Sequence, residues 1–129
     1  MKRYKRLFKE DSYWESILFG LDQADMGWEE IQEAIRKGDA LELFEMIDNQ
    51  VGELDGFKAY DIDYPHTGIA PILRKALYLL PDEGEGSLNK INIPKIRALV
   101  LQAKKLWKDF YKEAVPVCRF ISSVSVLIQ

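Results

Sequence analysis

Apolar residues recur at helical spacing along most of this chain, and that recurrence constrains the fold more than any other feature. The clearest run is Ile96, Leu99, Val100, Ala103, Leu106, Trp107, Phe110 and Ala114, one continuous stripe on a helix face. Asn92 stands before it as a cap, and Pro94 suits the first turn, where the missing amide proton costs nothing. The run predicts the longest helix at 93–115, ended or bent by Pro116.

The rest of the chain is punctuated in the same style. Ser12 followed by Glu15 has capping-box spacing, and Trp14, Ile17, Leu18 and Leu21 follow it at helical intervals. Gly27 is expected to break this segment. Trp28, Ile31, Ala34 and Ile35 resume the period, and Gly38 after Arg36 and Lys37 reads as a stop. Asp39 with Glu42 opens the next helix, striped by Leu43, Phe44, Ile47, Val51 and Leu54 and closed by Gly56. Residues 57–67 lack the period and hold Pro65, so they read as a loop, and 81–92, with "PDEGEGS", read as a second. Between them Pro71 suits the first turn of a helix at 69–80, apolar on most faces and therefore central.

The C-terminal tract fits two templates. Val117, Phe120, Ile121, Val124, Leu127 and Ile128 share a helix face; Phe120, Ser122, Val124, Val126 and Ile128 share a strand face. A strand here has no evident partner, so helix is the expectation and strand the alternative. The fold class expected is all-α: a single compact domain, 1–129, of about five helices in a bundle, with 1–9 as a basic N-terminal arm. Trp14, Ile17, Leu21, Phe44, Ile47, Leu77, Leu99, Leu106 and Phe110 are the expected core.

A chain of 129 residues suits one domain, and 47% hydrophobic with 12% aromatic residues is a globular composition. The single cysteine, Cys118, makes no internal disulfide and excludes zinc sites built on several cysteines. This points to a cytoplasmic protein. The basic start is followed by no apolar h-region, and the most apolar tract, "VPVCRFISSVSVLIQ", is interrupted by Arg119 and three serines, so no membrane span is expected.

The net charge of −3 conceals a segregation of sign. Residues 1–9 hold five bases and no acid; residues 10–63 hold 16 acids against three bases; residues 64–129 hold five acids against ten bases. Asp22, Asp25, Glu29, Glu30 and Glu33 crowd the first helices, and Glu42, Glu45 and Asp48 repeat every three residues on the next. Such neighbours lie about 5–6 Å apart and repel. Some of them serve as a solvated face. The sharper reading is a docking surface for a basic partner, in its extreme form a mimic of a nucleic-acid backbone. Opposite in sign are Arg97, Lys104, Lys105, Lys108 and Lys112 on the long helix, which read as a solvated face, with contact to the acidic helices or a phosphate-binding face as the alternatives. Net negative charge without a DNA-reading motif argues against direct nucleic-acid binding.

Chemistry-bearing residues are sparse. Asp61, Asp63 and His66 in "YDIDYPHTG" are the one place where histidine meets carboxylates. A calcium loop begun at Asp61 fails at its fifth, sixth and twelfth positions, which are Pro65, His66 and Ile72. One histidine and one cysteine do not complete a structural zinc site, nor a di-iron bundle. No sequence feature pairs Cys118 with His66 as a thiolate and imidazolium. The expectation is a polar loop, no cofactor, and a non-enzymatic adaptor or inhibitor, the kind of small accessory protein that phages and other mobile elements carry. The alternatives are an oligomeric assembly subunit joined through the apolar C-terminal tract, and a metal-binding or enzymatic protein centred on Asp61, Asp63 and His66.

Overall fold

A computed structural model describes residues 11–57, 66–80 and 92–128, the side chains of 11–13, 66–67, 121–122 and 124–128 aside. These residues form four helices and no strand: α1 (Asp11–Lys37), α2 (Ala40–Gly56), α3 (His66–Tyr78) and α4 (Ile93–Ile128). They pack in a ring, α1 on α2, α2 on α3, α3 on α4, and α4 back on α1. The all-α expectation holds, and the C-terminal tract is helical.

Most buried positions follow a stricter rule than helical spacing alone, with Ala34, Val51, Ala70, Val115 and Cys118 buried beside it. On α1 the rule runs through Trp14, Ile17, Leu21, Ala24, Trp28, Ile31 and Ile35, alternating steps of three and four residues. Ala40, Leu43, Ile47, Gln50, Leu54 and Phe57 continue the rule on α2, and Ile69, Leu73, Ala76 and Leu80 do so around α3. On α4 it runs through Ile96, Val100, Ala103, Trp107, Phe110 and Ala114. A 3.5-residue repeat keeps one seam facing its neighbours, the geometry of four-helix bundles. One apolar cluster joins all four seams.

The helix ends follow local chemistry. At Gly38 the backbone turns left-handed, φ 72°, and its amide donates to the Ala34 carbonyl at 3.1 Å, stopping α1. Asp39 caps α2, its Oδ1 accepting from the Glu42 amide at 3.1 Å. At the start of α4 the Asn92 carbonyl accepts from the Ile96 amide, while its side chain donates to the Leu79 carbonyl at 2.8 Å and ties α3 to α4.

Several expectations are corrected. Gly27 does not break α1: its missing Cβ makes room for the Gln50 side chain, because a Cβ there would lie 2.1 Å from Gln50 Oε1. Nor does Pro116 end α4; it lies on the exposed side of the helix, which continues to Ile128. Two segments each expected as a pair of helices are therefore single ones, and the described residues hold four helices, close to the five or so expected. The expected loop at 57–67 gives way to helix ends at its described residues. Phe57 is a buried C-cap of α2, and α3 begins at His66, which puts Pro71 one turn inside the helix. Within the expected core, Leu106 is exposed, and Phe44, Leu77 and Leu99 are only partly buried at its edge. The 1–9 arm, most of the 81–92 loop, and Asp61 and Asp63 lie outside the described residues.

Candidate functional site

The eight acids singled out in the sequence divide between two surfaces of α1 and α2. One faces α4. Asp22 Oδ1 accepts from the Tyr111 hydroxyl at 2.7 Å. Asp25 Oδ1 accepts from the Trp107 indole at 2.9 Å and from the Lys108 ammonium at 2.7 Å. Lys104 lies 3.7 Å from Glu29 and donates to Gln32 at 3.4 Å. The antiparallel pairing of α1 and α4 explains the order: as residue numbers fall on one helix they rise on the other. Trp107 is fully buried, with Phe57, Phe110 and Tyr111 at ring-centroid distances of 5.9, 5.6 and 6.0 Å. The Asp22 bond holds the Tyr111 phenol protonated, pushing its pKa up to about 12. Asp22 and Asp25 are thus committed to holding α4, while Glu29, largely exposed, reaches Lys104 and also borders the outer face. Contact of the basic helix with the acidic ones, one of the three readings of its lysines, is what these distances show for Lys104 and Lys108.

The second surface is a groove along the outer side of the α1–α2 pair, with a cavity volume of about 570 Å³ in its central part. Its banks repeat the three-four spacing of the buried seams, turned outward. Phe19, Gln23, Met26, Glu30 and Glu33 form the α1 bank. Met46, Asn49, Glu53 and Gly56 form the α2 bank, with Glu42 at its far end. Among the described residues no lysine or arginine lines the groove. Phe19 and Met26 are 65% and 60% exposed, large apolar side chains offered to solvent beside carboxylates.

Charge is unevenly satisfied along this groove. At one end Arg36 pairs with Glu33, whose carboxyl the hydrogen bond holds below its ordinary pKa, and Lys37 lies 3.5 Å from Glu42. In the middle, Glu30, Asp48 and Glu53 have no basic partner among the described residues, nor does Glu45 beside them. Partial desolvation between the helices, reinforced by the Glu30 charge, raises the Glu53 pKa. Ionised, Glu53 is held in a place that disfavours its charge.

The remaining candidates offer less. His66 opens α3, while Asp61 and Asp63 lie outside the described residues. Among the described residues no group of three or more His, Cys, Asp or Glu could hold a metal ion. Cys118 is buried on α4, and burial pushes its thiol pKa up, away from the thiolate a nucleophile needs. No described helix is long and apolar enough to cross a membrane. No protein-family model, curated protein or solved structure matches the chain.

Sequence reasoning found the acids but not their division. Asp22 and Asp25 look like Glu30 and Asp48 until α4 is in place. Missed altogether were Phe19, Met26 and Met46. Their signal was available: Phe19 and Met26 fall off the buried stripe of α1, at the same spacing as Glu30 and Glu33.

Proposed function

We propose that this chain is a non-enzymatic interaction protein, an adaptor or inhibitor, that binds a basic protein partner through the acidic outer face of α1 and α2. The observation that carries this reading is the set Glu30, Glu45, Asp48 and Glu53, carboxylates close together with no base of their own chain beside them among the described residues. Like charges held at helical spacing oppose folding by a few tenths of a kcal/mol per pair. A basic partner turns that repulsion into attraction. Rows of carboxylates on neighbouring helices also present negative charge as a phosphate backbone does, so a nucleic-acid-binding protein is one partner such a face would suit.

Fluorescence anisotropy with labelled lysine-rich, neutral and acidic peptides tests it. Binding is expected for the basic peptides alone, weakening as salt is raised. The variant Glu30→Gln/Glu45→Gln/Asp48→Asn/Glu53→Gln should stay folded and lose that binding. A wild-type protein that does not distinguish basic from neutral peptides at low salt overturns the proposal.

A second reading, an assembly subunit joined through the C-terminal half of α4, is favoured by Val117 and Phe120, 56% and 69% exposed on its outer side. Light scattering separates the two. A mass of several chains that persists in high salt supports the subunit, and a monomer supports the adaptor.

A further inference from the structure

We infer that the occupant of the α1–α2 groove is an amphipathic, lysine- or arginine-rich helix of the partner, laid in as a fifth helix of the bundle. This rests on the proposed binding of a basic partner and adds where the partner sits and in what form.

Three features of the groove specify the form. First, its banks carry the spacing by which bundle helices recognise one another. Phe19, Met26 and Met46 stand where a docking helix would place its apolar seam, and Glu30, Asp48 and Glu53 stand where its flanking positions would fall. Met is suited to this use, since its unbranched thioether repacks around varied apolar side chains. Second, both banks are helices, so the groove offers no strand edge. An extended peptide would leave its amides and carbonyls without protein partners there, whereas a helix satisfies its own. Third, the groove has room. A Cβ added at Gly52 or at Gly56 meets nothing within 4 Å, so a partner's backbone can come close. From Phe19 to Glu33 the α1 bank spans about 21 Å at 1.5 Å per residue, which accommodates about four turns.

Charge decides the sign of the occupant. Among the described residues the groove lining holds carboxylates and no base, and the central three are unpaired. A lysine placed between Glu30 and Glu53 relieves the repulsion across the groove. Binding then pulls the Glu53 carboxyl back toward its ordinary pKa, so the complex releases protons near the carboxylate range.

Two synthetic 18-residue peptides of one composition, lysine and leucine with equal net charge, make the test. In one the leucines share a helix face; in the other their order is shuffled so that they do not. Expected is one-to-one binding of the amphipathic peptide, at least tenfold tighter than the shuffled one, with a gain of helical circular dichroism. Gly52→Leu fills the groove without changing charge and should weaken the amphipathic peptide at least tenfold, with no loss of melting temperature. Asn49→Arg, a second variant with its own fold readout, should do the same. Equal affinity for the two peptides overturns the fifth-helix inference and leaves the basic-partner reading standing. Unchanged affinity in both variants overturns it as well. Binding of neither peptide overturns both.

Discussion

Gln50 occupies a seam position of α2 that the spacing reserves for an apolar residue, and it is 2% exposed. Its Nε2 donates to the Ala24 carbonyl at 2.7 Å, and its amide fills the space left by Gly27. Gly27→Ala should therefore cost about 1–3 kcal/mol, by overpacking and by displacing a buried hydrogen bond. Gly52→Ala has open space for its Cβ and should gain about 0.5–1 kcal/mol from helix propensity. Urea unfolding of the two variants checks the contrast, and equal effects would show that Gln50 does not depend on Gly27. Asp25 is the counterpart on the other side of α1. Asp25→Ala removes the acceptor of the buried Trp107 indole and should cost about 1–3 kcal/mol, while Asp25→Asn, which keeps an acceptor, should cost less. The sequence read Gly27 as a breaker because local propensity is all that a single glycine shows. What keeps it in mid-helix is a residue 23 positions away. Leu106 was misassigned for a related reason: it adjoins buried Trp107 on the edge of the α4 stripe, and spacing alone does not say how wide the buried face is.

At the scale of elements, the caps were legible. Gly38 and Asp39 act over three or four residues, within the reach of local sequence. Asp39→Ala should cost about 1 kcal/mol, read by chemical denaturation. Prolines were not legible in the same way, because their effect depends on which side of the helix they occupy. Pro116 lies on the exposed side, and α4 passes through it. Truncation after Pro116 removes the last third of α4, including buried Cys118. It should lower the melting temperature or release a monomer from an assembly; no change in either would show that this tract packs on nothing. The α1–α4 seam has its own pH signature. Tyr111 titrates higher folded, at about 12, than its ordinary value of 10.0. Its bond to Asp22 contributes fully below about pH 10 and is lost as pH rises toward 12. Tyr111→Phe should flatten that alkaline loss of stability in a pH series of urea melts.

For the whole molecule, the seams explain why the fold class could be read without a structure. Periodicity says which face of each helix is buried, and 129 residues leave few ways to bury four such faces. It does not say which helix lies beside which, so the split of the acids between α4 and the outer groove was hidden. Phe57 shows the same limit: it extends the spacing of α2 by one step past Gly56, the expected stop, and packs on Trp107 at 5.9 Å.

The ring order has a consequence for motion in solution. α1 holds seven acids against two bases and α2 five against none, while α3 holds two bases and no acid and α4 seven bases against two acids. Because α1 adjoins α2 and α3 adjoins α4, these charges do not alternate around the bundle but gather on opposite flanks. The four described helices together form an electric dipole. In the field of a positively charged surface it experiences a torque, which swings the α1–α2 flank forward before any side chains touch. With the basic partner proposed above, fewer encounters would be wasted on wrong faces, and association should run above the unsteered range of about 10⁵–10⁶ M⁻¹s⁻¹ at low salt. Beyond a Debye length, about 8 Å at physiological ionic strength, the torque fades. Stopped-flow association rates should therefore fall steeply with added salt while dissociation rates stay nearly constant.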